Sequence, residues 1–315
     1  MVFSTQPASA QERLRWPYSF SIAPQFGFFH GQAEEIVYPP SYAYKGTELY
    51  SQLLWDMKPV FYYGLLLDLS RTRPMERWGF FVTASFKSGA PGKSGIMEDR
   101  DWLSAENNAL TCYSKHDNYT QQIYSFDASV GLSFPLRRVL LLKPFINVSY
   151  MYFSFYGKDG WGKYARYLGN DQYDPINDTP REEKFKGKVI NYTQRWLIGA
   201  PGIALDYHFL EYFTAALSFQ ISPLILCVDV DQHLTTKTEY NDYMHWGLFL
   251  EPGFCFTFAP FKWLELAVEC SWRYITGTRG ETYQRPIGAK EYVQAGKAGT
   301  GLSLVDTGLS LKIRF

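Results

Sequence analysis

Gly308-Leu-Ser-Leu-Lys-Ile-Arg-Phe315 sets Leu309, Leu311, Ile313 and Phe315 against Gly308, Ser310, Lys312 and Arg314, a strand with one apolar and one polar face. Working back along the chain, the same period of two runs through Leu264, Leu266, Val268, Cys270, Trp272 and Tyr274, and the alternate positions carry Glu265, Glu269 and Arg273. It recurs in Trp246, Leu248, Leu250, Phe254, Phe256 and Phe258. Cys255 and Cys270 fall on opposite faces, so no bond between them is expected. Strands of soluble sandwiches average about 5 or 6 residues, and these runs are far longer. Alternating segments of about 10 or more residues, rich in Tyr, Trp and Phe and joined by alternately short and long polar connections, mark a bacterial outer-membrane barrel with its apolar face toward lipid. An open sheet in hydrocarbon would leave edge amides unpaired, so the sheet must close and the strand number must be even.

The expected fold is all-β, a ten-stranded antiparallel transmembrane β-barrel with strands at 17–30, 47–69, 78–89, 121–134, 143–157, 187–209, 212–233, 242–259, 263–277 and 301–315. Short turns near Arg71–Arg77, Pro135–Leu142, Leu210–Glu211 and Pro260–Lys262 are assigned to the periplasmic side with both termini. Loops 31–46, 90–120, 158–186, 234–241 and 278–300 are assigned to the extracellular side. Strand 7 carries a conflict. Leu217, Phe219 and Ile221 put odd positions toward lipid, whereas Asp229, Asp231 and His233 belong inside, so a bulge is expected near Pro223.

The 315 residues hold 31 Lys+Arg against 31 Asp+Glu, so no net field draws the chain to nucleic acid, and no nucleic-acid partner is expected. With 46% hydrophobic and 18% aromatic residues the composition is not that of a disordered chain. No apolar run approaches the roughly 20 residues of a membrane-spanning helix, since Val139-Leu140-Leu141-Leu142 meets Lys143-Pro144 at once. Cys112, Cys227, Cys255 and Cys270 have neither metal-ligand nor redox spacing, which argues against a metal site and a disulfide framework. Within Met1–Gln11, Ala8-Ser9-Ala10 has the small-x-small form of a signal-peptidase site, so 1–10 reads as the remnant of an export signal and 11–315 as one barrel domain.

Two polar clusters stand where a strand meets a long loop: Met97-Glu98-Asp99-Arg100-Asp101-Trp102 and Asp229-Val230-Asp231-Gln232-His233. In extended backbone, positions i and i+2 share a face, so Asp99 joins Asp101, and Asp229 and Asp231 join His233. A carboxylate beside an imidazole fixes its tautomer and raises its basicity, and carboxylates across a cleft can orient a water for attack. The plain alternative is a solvated Asp-x-Asp turn and an exposed Asp-x-His. No nucleophile elbow, phosphate-cradling glycine loop or EF-hand pattern is present.

At these residues the chain resembles the omptins, ten-stranded outer-membrane proteases. The likeness runs over nearly the whole barrel: Glu35-Ile36-Val37-Tyr38, Ser51-Gln52-Leu53 with Trp55, Met97-x-Asp99-x-Asp101-Trp102, Gln194-Arg195 before an aromatic, and Asp229-x-Asp231-x-His233. The resemblance implies an endopeptidase in which Asp231 and His233 activate a water and Asp99 and Asp101 are the facing couple. It also implies that Glu35 and Asp229, with Met97 packed beside them, line a pocket for Arg or Lys before the cut bond. The implied partners are peptides or proteins with basic residues and the outer-membrane lipid, with a monomeric barrel and no cofactor. Omptins are linked to lipopolysaccharide through charged residues on the outer wall. Here the strand expected to carry an Arg and a Glu reads Ser149-Tyr150-Met151-Tyr152-Phe153, so of that set only Arg195 is present. Readings of another class are a catalytically inactive barrel that binds basic partners as an adhesin, and a channel, which ten strands filled by inward side chains disfavour.

Overall fold

The computed structural model describes residues 18–39, 49–71, 78–104, 106, 108–137, 139–178 and 180–315. Residues 1–10, assigned above to an export signal, lie outside the described residues, as do most of the turn at 71–77 and residues 40–46 of the first long loop. All regular structure among the described residues is strand, and every neighbouring pair is antiparallel.

Ten staves form the wall. Six are continuous: β1 Ser19–Tyr38, β2 Ser51–Arg71, β4 Cys112–Arg137, β5 Leu140–Tyr164, β6 Lys188–Leu210 and β10 Val293–Arg314. Four are interrupted: β3 (Gly79–Gly89 and Gly92–Asp101), β7 (Phe213–Ser222 and Ile225–His233), β8 (Thr238–His245 and Leu248–Phe261) and β9 (Leu264–Thr276 and Arg279–Pro286). Each stave pairs with the next, and β10 returns to β1 in register from Ser21↔Arg314 to Tyr38↔Lys297, which closes the barrel. Closure leaves no edge, the condition that hydrocarbon imposes.

The lower half carries the lipid-facing belt. Phe26, Val130, Ile146, Leu217 and Leu309 are 53–61% exposed, which in water would be an aggregating patch and in a bilayer is ordinary solvation. Phe28, Phe61, Phe86, Leu226, Trp246 and Trp272 mark its upper margin. The lumen at this level is filled by polar side chains. Arg273 reaches Asp127 at 2.9 Å and Glu251 at 3.0 Å, and Lys87 pairs with Asp306.

Above the belt the staves continue as strands, which corrects the expected loops. Residues 92–101 and 112–120 are strand rather than part of a loop at 90–120, and 158–164 extend β5. The expected loop at 234–241 is a turn of residues 234–237, and most of 278–300 is strand. The region between β5 and β6 keeps three short strands, Tyr167–Gly169, Gln172–Tyr173 and Arg181–Lys184.

The interruptions sit at one level and re-aim the upper half. In β7 the lower outward set is Leu217, Phe219 and Ile221, and the upper outward set is Leu224 and Leu226. Parity therefore switches at Pro223, as the sequence required, though as a break of two residues rather than a bulge within one strand. Ser222 Oγ donates to Gly199 O and accepts from Leu224 N–H at 2.9 Å, which satisfies backbone groups that the break frees. In β8 the switch falls at Trp246 and Gly247, whose φ values of 58° and 149° lie in the left-handed region. In β2, Met57 and Val60 are both inward around exposed Lys58 and Pro59, and the register against β1 shifts between Phe29 and Gly31.

Candidate active site

Alternation above the breaks delivers every sequence-derived candidate to the lumen. On β3, Met97 pairs with Trp55, Asp99 with Leu53 and Asp101 with Ser51, so the three project inward at successive levels. On β7, Asp229, Asp231 and His233 do the same, paired with Gln194, Tyr192 and Ile190 of β6. The two walls touch beneath them. The Trp55 ring stacks on Tyr192 at 5.1 Å and 6°, and on Phe155 at 5.9 Å. With Met97, Trp196 and Phe153 these rings, all at most 1% exposed, form a dry floor between the cleft and the lower lumen. Met97 thus belongs to the floor.

On that floor the two patches converge. Asp231 Oδ2 accepts from His233 Nε2 at 2.6 Å, leaving Nδ1 as the other ring nitrogen, and the imidazole meets Tyr240 edge-on at 5.5 Å. The His233 side chain is 30% exposed against 2% for Asp231, so the carboxylate is sealed behind a base that solvent reaches. Burial alone would lower the His233 pKa. The charge and hydrogen bond of Asp231, with the charges of Asp99 and Asp101, reverse this and raise it to about 9. Burial raises both Asp99 and Asp101. The charge of Asp101 adds to the Asp99 shift, while His233 and the Ser51 hydroxyl act in the opposite sense on each. Each patch therefore lies within the other's field, which is the convergence that the sequence could only posit.

Glu35 and Asp229 stand beside this centre. Glu35 of β1 is 2% exposed and held well above the usual carboxylate range by burial, then by the charges of Asp231, Asp229, Asp242 and Asp99. Asp229 is 1% exposed and likewise raised, by burial and then by Asp242. Its Oδ2 accepts from Tyr192 OH at 2.9 Å, Tyr192 OH accepts from Gln194 Nε2 at 2.9 Å, and Gln194 Oε1 accepts from Trp196 Nε1 at 2.8 Å. This relay along β6 anchors Asp229 to the floor. Glu35 Oε2, Asp99 Oδ1, Asp229 Oδ1 and Asp231 Oδ1 are buried without a hydrogen-bond partner. Among the described residues no Lys or Arg makes an ion pair with any of these acids, and no group of three or more His, Cys, Asp or Glu is arranged to hold a metal.

Sequence reasoning missed Asp242, Tyr192 and the positioning role of Ser51. Asp242 lies opposite Asp229 in register, 1% exposed, and accepts a hydrogen bond from Thr282 Oγ1. The signal available was the turn: once 234–237 is read as tight, pairing from His233↔Thr238 downward puts Asp242 across from Asp229.

A family model described as the omptin family matches residues 16–315. A plasminogen activator of Yersinia pestis is 26% identical over 247 residues, covering 76% of this chain and 72% of that protein. Among solved structures, the outer-membrane protease OmpT from Escherichia coli superposes with a TM-score of 0.80 at 19% identity, over 95% of this chain and 97% of that one.

Proposed function

The chain belongs to the omptin family, and from that membership we propose that it is an outer-membrane endopeptidase whose cleft faces the extracellular side and which cleaves peptide bonds after Arg or Lys. The observation that carries this reading is the convergence of the Asp99–Asp101 couple and the Asp231–His233 pair over one dry floor.

The chemistry follows from the geometry. Asp231 holds one ring nitrogen of His233, so the neutral imidazole can take a proton from a water, and the developing imidazolium is stabilised by the same carboxylate. Asp99, facing His233, orients that water and Asp101 supports it. The water attacks the peptide carbonyl, and His233 then returns the proton to the leaving amine. No side-chain nucleophile enters the scheme. Glu35 and Asp229 accept the basic side chain before the cut bond. A guanidinium brings donors for their unpartnered oxygens and a charge that matches theirs. No cofactor is needed for this reaction. Arg195 lies exposed over the Tyr152 ring at 5.6 Å, and it alone of the expected set would contact an anionic lipid.

A quenched peptide with paired basic residues tests the reading. The folded barrel should cut after the basic residue, and Asp99→Ala or His233→Ala should abolish cutting. Unchanged rates in either variant would refute the mechanism. Binding without hydrolysis by the native protein would instead favour an adhesive barrel.

A further inference from the structure

Asp242 faces Asp229 across the hairpin made by the upper parts of β7 and β8, at a cross-strand position where side chains approach to about 5 Å and like charges repel. The ionisable groups that act on it or share its pocket are acids, phenols and a thiol: Asp229, Asp231 and the buried Cys227 on β7, Glu35 on β1, Tyr192 on β6 and Tyr240 on its own stave. From β9 it receives only the neutral Thr282 hydroxyl. Two buried oxygens of the same group, Glu35 Oε2 and Asp229 Oδ1, have no hydrogen-bond partner. Among the described residues no cation pairs with these three buried carboxylates, each of which is costly when ionised, and the pocket relieves the cost by keeping protons. Burial, then the charge of Asp231, push Asp242 up to about 7 against the Thr282 hydrogen bond.

We propose that Asp242 is a specificity-determining residue: with Glu35 and Asp229 it forms a three-carboxylate pocket in which the guanidinium or ammonium of the substrate displaces a proton. This rests on the basic-residue pocket proposed above and deepens it. The exchange balances in charge, since one cation enters as one proton leaves to solvent. Two consequences follow from the third acid, in addition to any proton that Glu35 and Asp229 themselves release. Basic side chains bind better as pH rises through about 7, and a neutral isostere of Arg gains nothing from the third acid.

The test uses the intact His233→Ala barrel, which should bind without cutting. Calorimetry compares a peptide carrying Arg before the scissile bond with its citrulline counterpart, in two buffers of different protonation enthalpy near pH 7. The Arg peptide should bind tighter and release protons. Adding Asp242→Asn should weaken Arg binding about tenfold, as loss of one charge-assisted contact implies, and leave citrulline binding within about twofold. Proton release should fall at the same time. Unchanged Arg preference and unchanged proton release in Asp242→Asn would overturn this inference alone. Equal binding of Arg and citrulline to the parent barrel would overturn the basic pocket and this inference with it. The asparagine can still accept from Thr282. If the variant nevertheless fails to fold, Asp242→Ser, which keeps a hydrogen-bond acceptor for Thr282, takes its place with the same expected and overturning results.

Discussion

In the lower lumen Arg273 donates to Glu251 at 3.0 Å, Ser125 at 3.1 Å and Asp127 at 2.9 Å, Lys87 meets Asp306, and Glu265 holds Lys312 at 3.3 Å and Arg314 at 2.9 Å. In the upper lumen Glu35, Asp99, Asp101, Asp229 and Asp242 are gathered, and among the described residues the basic side chain that acts on Asp99 and Asp101 is His233. Both regions are interiors of the same barrel, built by the same alternation, and both bury charge. In the lower one each cation has its anions, which makes a plug that fills the barrel. In the upper one, among the described residues, the acids outnumber the bases, an imbalance that the proposed basic substrate side chain would offset. Buried charge alone therefore says little about function, whereas buried charge left uncompensated points to a ligand.

The largest effect expected from this contrast is on catalysis: His233→Ala should lower the cleavage rate by about a thousandfold or more, with the barrel still folded in detergent. Next is stability in the compensated region. Arg273→Ala strands Asp127 and Glu251 and should cost about 3–5 kcal/mol in denaturant unfolding. Glu35→Gln, which removes an ionisable acid from the uncompensated region, should leave stability unchanged or higher while weakening substrate binding. If Glu35→Gln destabilised the barrel as much as Arg273→Ala, the contrast between the two regions would be lost.

Smaller effects lie in pH. His233 is raised from 6.5 to about 9 in the folded state, so the stability it contributes is complete below pH 6.5 and lost as pH rises through about 9. Asp242, raised from 3.8 to about 7, acts in the same direction over the lower window, since its protonated form is the one the fold favours. Thermal unfolding should accordingly come at lower temperature at pH 9 than at pH 6, and Asp242→Asn should flatten the part of the slope between about pH 4 and 7. On activity, the neutral imidazole is the base, so kcat/KM of the native protein should rise with pH toward about 9. Asp231→Asn should move that rise to lower pH and reduce its plateau. A rise that stayed in place would mean that Asp231 does not set the state of His233.

The sequence made the lower half of the barrel legible and blurred the upper half, for one reason. Where lipid bathes the outer face, alternation between apolar and polar is strict, as in Leu264 to Tyr274. Above the belt water bathes that face, so Cys112-Tyr113-Ser114-Lys115-His116-Asp117 is polar on both sides and reads as loop although it is strand. The candidate acids were found because Asp99, Asp101, Asp231 and His233 sit at i and i+2 within short motifs. Asp242 was passed over because Tyr240-Asn241-Asp242 lies in such a two-sided polar stretch, and only the pairing register shows what it faces. The break at Pro223 was legible because the parity of β7 had to switch there, whereas Ala90-Pro91 reads as the start of a loop and Trp246-Gly247 was missed, its signal being a left-handed backbone.

The most direct test of the central claim is a double-mutant cycle on cleavage of a dibasic peptide by native, Asp99→Ala, His233→Ala and doubly substituted barrels, each shown to be folded. If the two patches work on one water, either single substitution removes nearly all activity and the second adds little. Losses that multiply independently, or a single variant that still cuts at the native rate, would contradict a shared centre.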